Sequence, residues 1–197
     1  MRRSLTMVLL LVASLAAAID VDEEELQELG TQDIDFINYE GPYERIDTVE
    51  EIVGIGRSLG AGIDIDAGYS EFILNERYRI IHAVDPETDE GLDADIVVPL
   101  ETAQVAHIDN LRRILSGFLQ EAYLYEQADA DLLARWVTIY NAVVRGELEF
   151  FTERYKPVVT DNLTRETAGL SRRYDEWPGM SRIVIPLAQG AEPGELG

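Results

Sequence analysis

Cysteine is missing from all 197 residues. Its absence removes disulfides, thiolate metal sites and thiol nucleophiles, and with them lipid attachment through an N-terminal cysteine. Histidine is nearly as scarce. Only His82 and His107 occur, one in an expected strand and one at an expected helix start, with no ligand spacing between them. No Gly-x-Ser-x-Gly elbow and no His-Glu-x-x-His pair is present. Basic residues are few, 16 against 38 acidic ones, for a net charge of −22. Such a surface repels nucleic-acid phosphates and anionic lipid head groups, which excludes nucleic acid as a partner. It favours basic proteins, other cationic partners or divalent metal, although an acidic surface also serves solubility alone. Beyond the N-terminus no apolar run is long enough to cross a bilayer.

The N-terminus itself is distinctive. Met1-Arg2-Arg3 precedes an apolar run of 14 residues, Leu5 to Ala18, interrupted only by Thr6 and Ser14 and ending in Ala16-Ala17-Ala18. A basic start, a short greasy segment and a small-residue exit are the three parts of a secretory signal. A spanning helix needs about 20 apolar residues. Residues 1–18 are therefore expected to be a cleaved signal peptide. The mature chain would start at Ile19, lack an integral membrane segment and reside in the periplasm or at the cell envelope. Loss of Arg2 and Arg3 leaves 14 basic residues and makes the charge −24.

The expected organisation is an acidic lead-in over 19–33, a single α+β domain over 34–187 and a Gly/Pro/Glu-rich tail over 188–197. Apolar and β-favouring residues over Ile34–Tyr39 suggest a strand, broken at Gly41-Pro42. Thr48 and Glu51 have capping-box spacing for a helix through Val49, Ile52, Val53 and Leu59, ending near Gly60 and Gly62. Inside it, Gly54-Ile55-Gly56-Arg57-Ser58-Leu59-Gly60 superficially resembles a dinucleotide loop. A phosphate loop, however, follows a strand and opens a helix; glycines within a helix instead allow close packing. Tyr78–Val84 and Ala94–Leu100 read as strands joined by Asp85-Pro86-Glu87-Thr88-Asp89-Glu90-Gly91. Alternating carboxylates there invite calcium, but the glycine comes late and Ile96 stands where a closing glutamate belongs, which favours a hairpin.

From Thr102 to Leu163 the pattern is helical. Ile108, Leu111, Ile114, Leu115, Phe118, Leu119 and Ala122 make one apolar face. A second helix starts at Asp129 or Asp131, with Leu132, Leu133, Trp136, Val137, Tyr140, Val143 and Val144 inward. A third carries Leu148, Phe151 and Tyr155 until Pro157 kinks or ends it. Aromatics at helical spacing fill cores, so neither Trp136 nor Tyr140 implies a cofactor, and none is expected. Trp177-Pro178-Gly179 turns the chain into a closing strand, Arg182–Leu187. The expected fold is α+β: a small mixed or antiparallel sheet, with strands near 34, 78, 94 and 182, packed against a three-helix layer.

Several segments, in order, carry a resemblance. They are Phe36-Ile37-Asn38-Tyr39-Glu40-Gly41-Pro42-Tyr43, Asn110-Leu111-Arg112-Arg113-Ile114-Leu115, Thr138-Ile139-Tyr140-Asn141-Ala142-Val143 with Arg145-Gly146, Ala168-Gly169-Leu170-Ser171-Arg172, Trp177 and Ile185-Pro186-Leu187. Together they resemble the N-terminal domain of the spirochaete (Borrelia- and Treponema-type) 83/100-kDa antigen family. The resemblance implies an exported, envelope-associated antigen of unknown biochemical activity, and carries over no catalytic or binding residues. It also implies that the chain is a fragment or a short member, since the family continues into charged helical segments and a further domain.

The functional expectation is a non-enzymatic binding or structural module of the envelope, meeting an unidentified and basic envelope protein through exposed aromatics: Tyr39, Tyr43 and Trp177. No catalytic, cofactor or metal residue is assigned. The alternatives are a secreted hydrolase using clustered carboxylates such as Asp64 and Asp66, and a calcium-stabilised module.

Overall fold

In the computed structural model, which describes residues 34–43 and 47–187, the first regular element begins at the Thr48–Glu51 pair. The Thr48 hydroxyl accepts from the Glu51 N–H at 3.2 Å, and the Glu51 carboxylate accepts from the Thr48 N–H at 2.8 Å. Two donors that a helix start leaves open are thereby satisfied reciprocally, and helix α1 runs Val49–Gly62. The expected signal peptide, lead-in and tail lie outside the described residues.

Three strands follow, β1 Tyr69–Leu74, β2 Tyr78–Ala83 and β3 Asp93–Pro99, and β4 Ile183–Leu187 closes the sheet. The order is β1-β2-β3-β4 with every pairing antiparallel. Strands β2 to β4 are largely buried along their length, whereas β1 alternates exposed and half-buried residues as a sheet edge does. The fold is thus α+β, as expected, but one strand is exchanged. Ile34–Tyr39 is not a strand; it makes a single bridge from Ile37 to Arg173. Its backbone groups go to separate partners: Ile37 N–H to Arg172 O at 2.8 Å and Tyr39 N–H to Ala106 O at 2.9 Å. The edge place belongs to Tyr69–Leu74.

The helices α2 Ile108–Tyr123 and α3 Gln127–Val143 form the main layer, with short α4 Leu148–Arg154 and α5 Pro157–Thr160 after them. Pro157 ends the third expected helix and starts α5 at a position where its missing N–H costs nothing. The α2 face Leu111, Ile114, Leu115, Phe118 and Leu119 is buried as its spacing requires. In α3 the buried stripe runs through Leu133, Trp136, Val137 and Tyr140, while Leu132 and Val143, expected inward, lie off it and are exposed.

Glycines set the α1–α2 distance. A methyl group at Gly56 would run into the Ile114 carbonyl oxygen, and one at Gly117 into that of Val53. At Gly60 it would lie 2.8 Å from Glu121 Cβ and 2.9 Å from the Ala122 nitrogen. The glycine run of α1 is therefore a packing surface.

Helix α2 ends on Leu124, a leucine at φ 58° and 76% exposed. The left-handed region costs an L-residue with a bulky Cβ roughly 1–2 kcal/mol, and this side chain recovers little by burial. Leu124→Asn is expected to raise stability by about 1 kcal/mol, read from urea unfolding, with no change in the slope against denaturant.

Segments that carry the sequence resemblance meet at one corner. The Asn141 side chain on α3 faces edge strand β4 and acts as a one-residue strand. Its Oδ1 accepts from Val184 N–H at 2.8 Å and its Nδ2 donates to Val184 O at 2.7 Å. Arg145 donates to the carbonyls of Ala168, Gly169 and Glu166 at 2.6–3.3 Å. Trp177 is fully buried, its indole N–H donating to Ser171 O at 2.7 Å. These residues hold the fold together at the β4 edge.

Candidate functional site

Two concentrations of polar chemistry emerge, one sealed and one open. The sealed one lies on the sheet face beneath the end of α2. His82 on β2 and Asp95 on β3 are directly cross-strand, and His82 Nδ1 sits 2.7 Å from Asp95 Oδ1. Tyr123, at the C-terminus of α2, donates its hydroxyl to the second Asp95 oxygen at 2.5 Å. His82 is 3% exposed and Asp95 0%. Burial pulls the imidazole pKa down, but the Asp95 hydrogen bond and charge, the Asp93 charge and a backbone hydrogen bond at Ile65 together leave it raised above 6.5. Burial first, then Asp95, drive the Tyr123 phenol well above its usual range, so it remains a neutral donor. Two residues along β3, Asp93 pairs at 2.7 Å with Lys156, itself 4% exposed, which also donates to Asp85 O at 2.7 Å.

The open feature is a cleft of about 640 Å³ between the start of α1, the β1–β2 turn, the 104–107 segment and the first turns of α2. That volume falls within the range of small-molecule sites. Its apolar wall includes Val49, Ile52, Ile55, Leu74, Val105 and Ile114. Tyr43 and Val49 stand at its mouth, 50% and 57% exposed. The floor is set by α1–α2 packing, and the α2 start is fixed from far away in sequence: Asn38 Oδ1 accepts from Ile108 N–H at 2.8 Å. The β1–β2 turn places Asn75 and Glu76 both at positive φ, 51° and 57°, which is strained for glutamate. Arg77 from that turn and Arg113 from α2 line the same cleft. Tyr78 is buried against it, and burial first, with the Asp47 charge added, pushes its phenol up to about 12 against the opposing influence of Arg77 and a Gln104 backbone hydrogen bond.

Of the three aromatics singled out from sequence, Tyr43 lies at the cleft. Tyr39 is half-buried behind it. The two rings meet edge-on at 5.6 Å, and the Tyr43 hydroxyl donates to Tyr39 O at 3.1 Å. Trp177 is a correction: with no exposed surface it offers nothing to a partner, because its indole fills the corner described above. Asp64 and Asp66 are exposed turn residues, with Asp64 Oδ1 accepting from Asp66 N–H at 3.1 Å. In the Asp85 loop the carboxylate accepts from the Thr88 hydroxyl at 2.7 Å and from Glu87 N–H at 2.9 Å, which lowers its pKa. Among the described residues no group of three or more His, Asp or Glu side chains is arranged to hold a metal ion. Sequence reasoning did not find Arg77 or Arg113; nothing along the chain marks either arginine as facing a cleft.

The fold and cleft define a class: a small α+β domain with buried ionic pairs and an open, apolar-walled cleft. The chain belongs to the family described as Borrelia P83/100 protein, whose model matches residues 23–196. No curated protein and no solved structure matches it significantly. Among the described residues, no helix is long and apolar enough to cross a membrane.

Proposed function

We propose that this protein is an exported binding module of the cell envelope that works through the α1–α2 cleft and turns over no substrate. The observation that carries this reading is the cleft, with its apolar wall, polar rim and ligand-sized volume of about 640 Å³. The buried His82–Asp95–Tyr123 group does not line it, so the acid–base side chains closest to a catalytic arrangement stand apart from it. Of the cleft carboxylates, Glu51 is engaged in capping α1.

The test uses a neutral, apolar fluorescent probe, N-phenyl-1-naphthylamine. It is expected to bind with one site per chain. Ala106→Trp, which projects a large side chain from the 104–107 segment into the cleft, should abolish that binding while leaving the far-UV spectrum and melting temperature near wild type. Ile55→Trp, from α1, provides a second block. Probe binding that survives both variants, or no binding to the wild type, sinks the reading.

A further inference from the structure

We propose that the occupant of the cleft is a small amphiphile with an apolar body and a single anionic head, carboxylate or phosphate, held between Arg77 and Arg113. The inference rests on the reading of the cleft as a binding site and adds the chemistry of what fills it.

The ground is the state of these two guanidinium groups in a chain of net charge −22. Carboxylates outnumber cations more than two to one, and the other half-buried cations with assigned contacts find oxygens. Arg79 pairs with Glu71 at 2.5 Å, and Arg112 bonds Thr138 Oγ1 at 3.0 Å with Asp109 at 3.9 Å. Arg145 takes three carbonyls, and Arg182 takes Ser181 O at 3.2 Å. Arg77 is half-buried with no ion pair or side-chain hydrogen bond among the described residues, and Arg113 is half-buried with one amide contact, to Asn110 Oδ1 at 2.7 Å. Arg57, Arg135, Arg165 and Arg172 also have no ion pair among the described residues, but they are exposed, where solvent can satisfy a guanidinium. Arg77 and Arg113 are instead placed at the border of an apolar wall, each with donors to spare.

A guanidinium offers five donors in a planar fork that matches carboxylate or phosphate oxygens. With part of the hydration shell already removed by the protein, an incoming anion meets a smaller desolvation cost than at an exposed arginine. The apolar wall beside them then selects for a hydrocarbon body. Asp47, Glu51 and Asp109 also line the cleft and argue for a cation instead. Glu51 is turned back on Thr48, and Asp109 lies 3.9 Å from the Arg112 guanidinium. Those two negative charges are thus partly answered within the protein.

The experiment is displacement of N-phenyl-1-naphthylamine from the full chain by four ten-carbon amphiphiles below their micellar concentrations: decanoate, decyl phosphate, decanol and decyltrimethylammonium. At least one of the two anions should displace the probe at about tenfold lower concentration than decanol, and the better anion names the head group. The Arg77→Gln/Arg113→Gln double variant should bring both anions level with decanol, each displacement being scaled to the variant's own affinity for the probe. Lys at both positions should restore part of the preference. The inference is overturned if decanol matches the anions on wild type, if the double variant keeps the preference, or if decyltrimethylammonium displaces best. In each of those cases the bound probe leaves the cleft reading standing. Failure of the probe to bind removes both.

Discussion

Gly56→Ala is expected to lower stability by about 3 kcal/mol, roughly 6–12 °C in Tm, while Gly54→Ala two residues earlier raises it by about 0.5–1 kcal/mol. The opposite signs come from geometry. Both glycines sit inside α1, where alanine is intrinsically the better helix former. Around Gly54 a new methyl meets nothing within 4 Å, so only the helix preference remains. At Gly56 the methyl runs into the Ile114 carbonyl and lies 2.7 Å from the Phe118 nitrogen, both on the α2 backbone, which cannot rotate away like a side chain. The helices must separate, and the core beneath them, Ile52, Leu59, Ile114 and Phe118, loses contact together. Gly117→Ala repeats the clash from α2, against the Val53 carbonyl, and should be as damaging. Urea unfolding of the three variants checks the pattern; equal effects at Gly54 and Gly56 would mean that the helices yield without cost. Because α1 and α2 both line the cleft, the clashing variants should also weaken probe binding.

Features whose cause is local were legible in the sequence. The capping box at Thr48 and Glu51 needs only neighbours three residues apart, and it forms with both hydrogen bonds. The glycine run was readable as packing because it lay within a helical pattern, and the close approach of those glycines to the α2 backbone gives that reading its cause. Ile34–Tyr39 misled for the opposite reason. Its apolar residues fit a strand, yet Phe36 and Asn38 are used one at a time, Phe36 beneath the Arg112 guanidinium at 5.7 Å and Asn38 as a cap for α2. Tyr69–Leu74 became the edge because it reaches β2 through a tight turn, a relation no single residue announces. The cleft was the least legible part. Arg77 and Arg113 are 36 positions apart in the numbering and line one cleft only because the β1–β2 turn and the start of α2 both border it. His82 and Asp95 likewise become partners through strand register, which places them opposite one another across β2 and β3.

That buried pair gives the largest expected pH effect. Asp95→Ala should destabilise the protein by about 3–5 kcal/mol near pH 6, because it strips the buried His82 of its counter-charge and the Tyr123 hydroxyl of its acceptor. In the wild type the folded state raises the His82 pKa above 6.5, so between pH 6.5 and the folded pKa it holds a proton that the unfolded chain has released. The stabilisation is fully present below pH 6.5 and is lost as pH rises through the folded pKa. Within that window the slope is at most about −1.4 kcal/mol per pH unit. Removing Asp95 leaves burial, which lowers the pKa, as the largest influence on the ring; the Asp93 charge that remains is paired with Lys156. The slope should then change sign, with stability rising as pH passes upward through the region near 6.5. Tyr123→Phe keeps the ion pair but deprives Asp95 of one donor, so it should lower stability without reversing the slope. Urea unfolding at a series of pH values measures all three, and His82 and His107 are the only imidazoles whose titration must be separated. A wild-type slope of zero across the window would mean that the proton is shared equally by folded and unfolded chains. His82–Asp95 would then be a neutral hydrogen bond. A sign reversal in Asp95→Ala ties the protonation of His82 to its cross-strand partner.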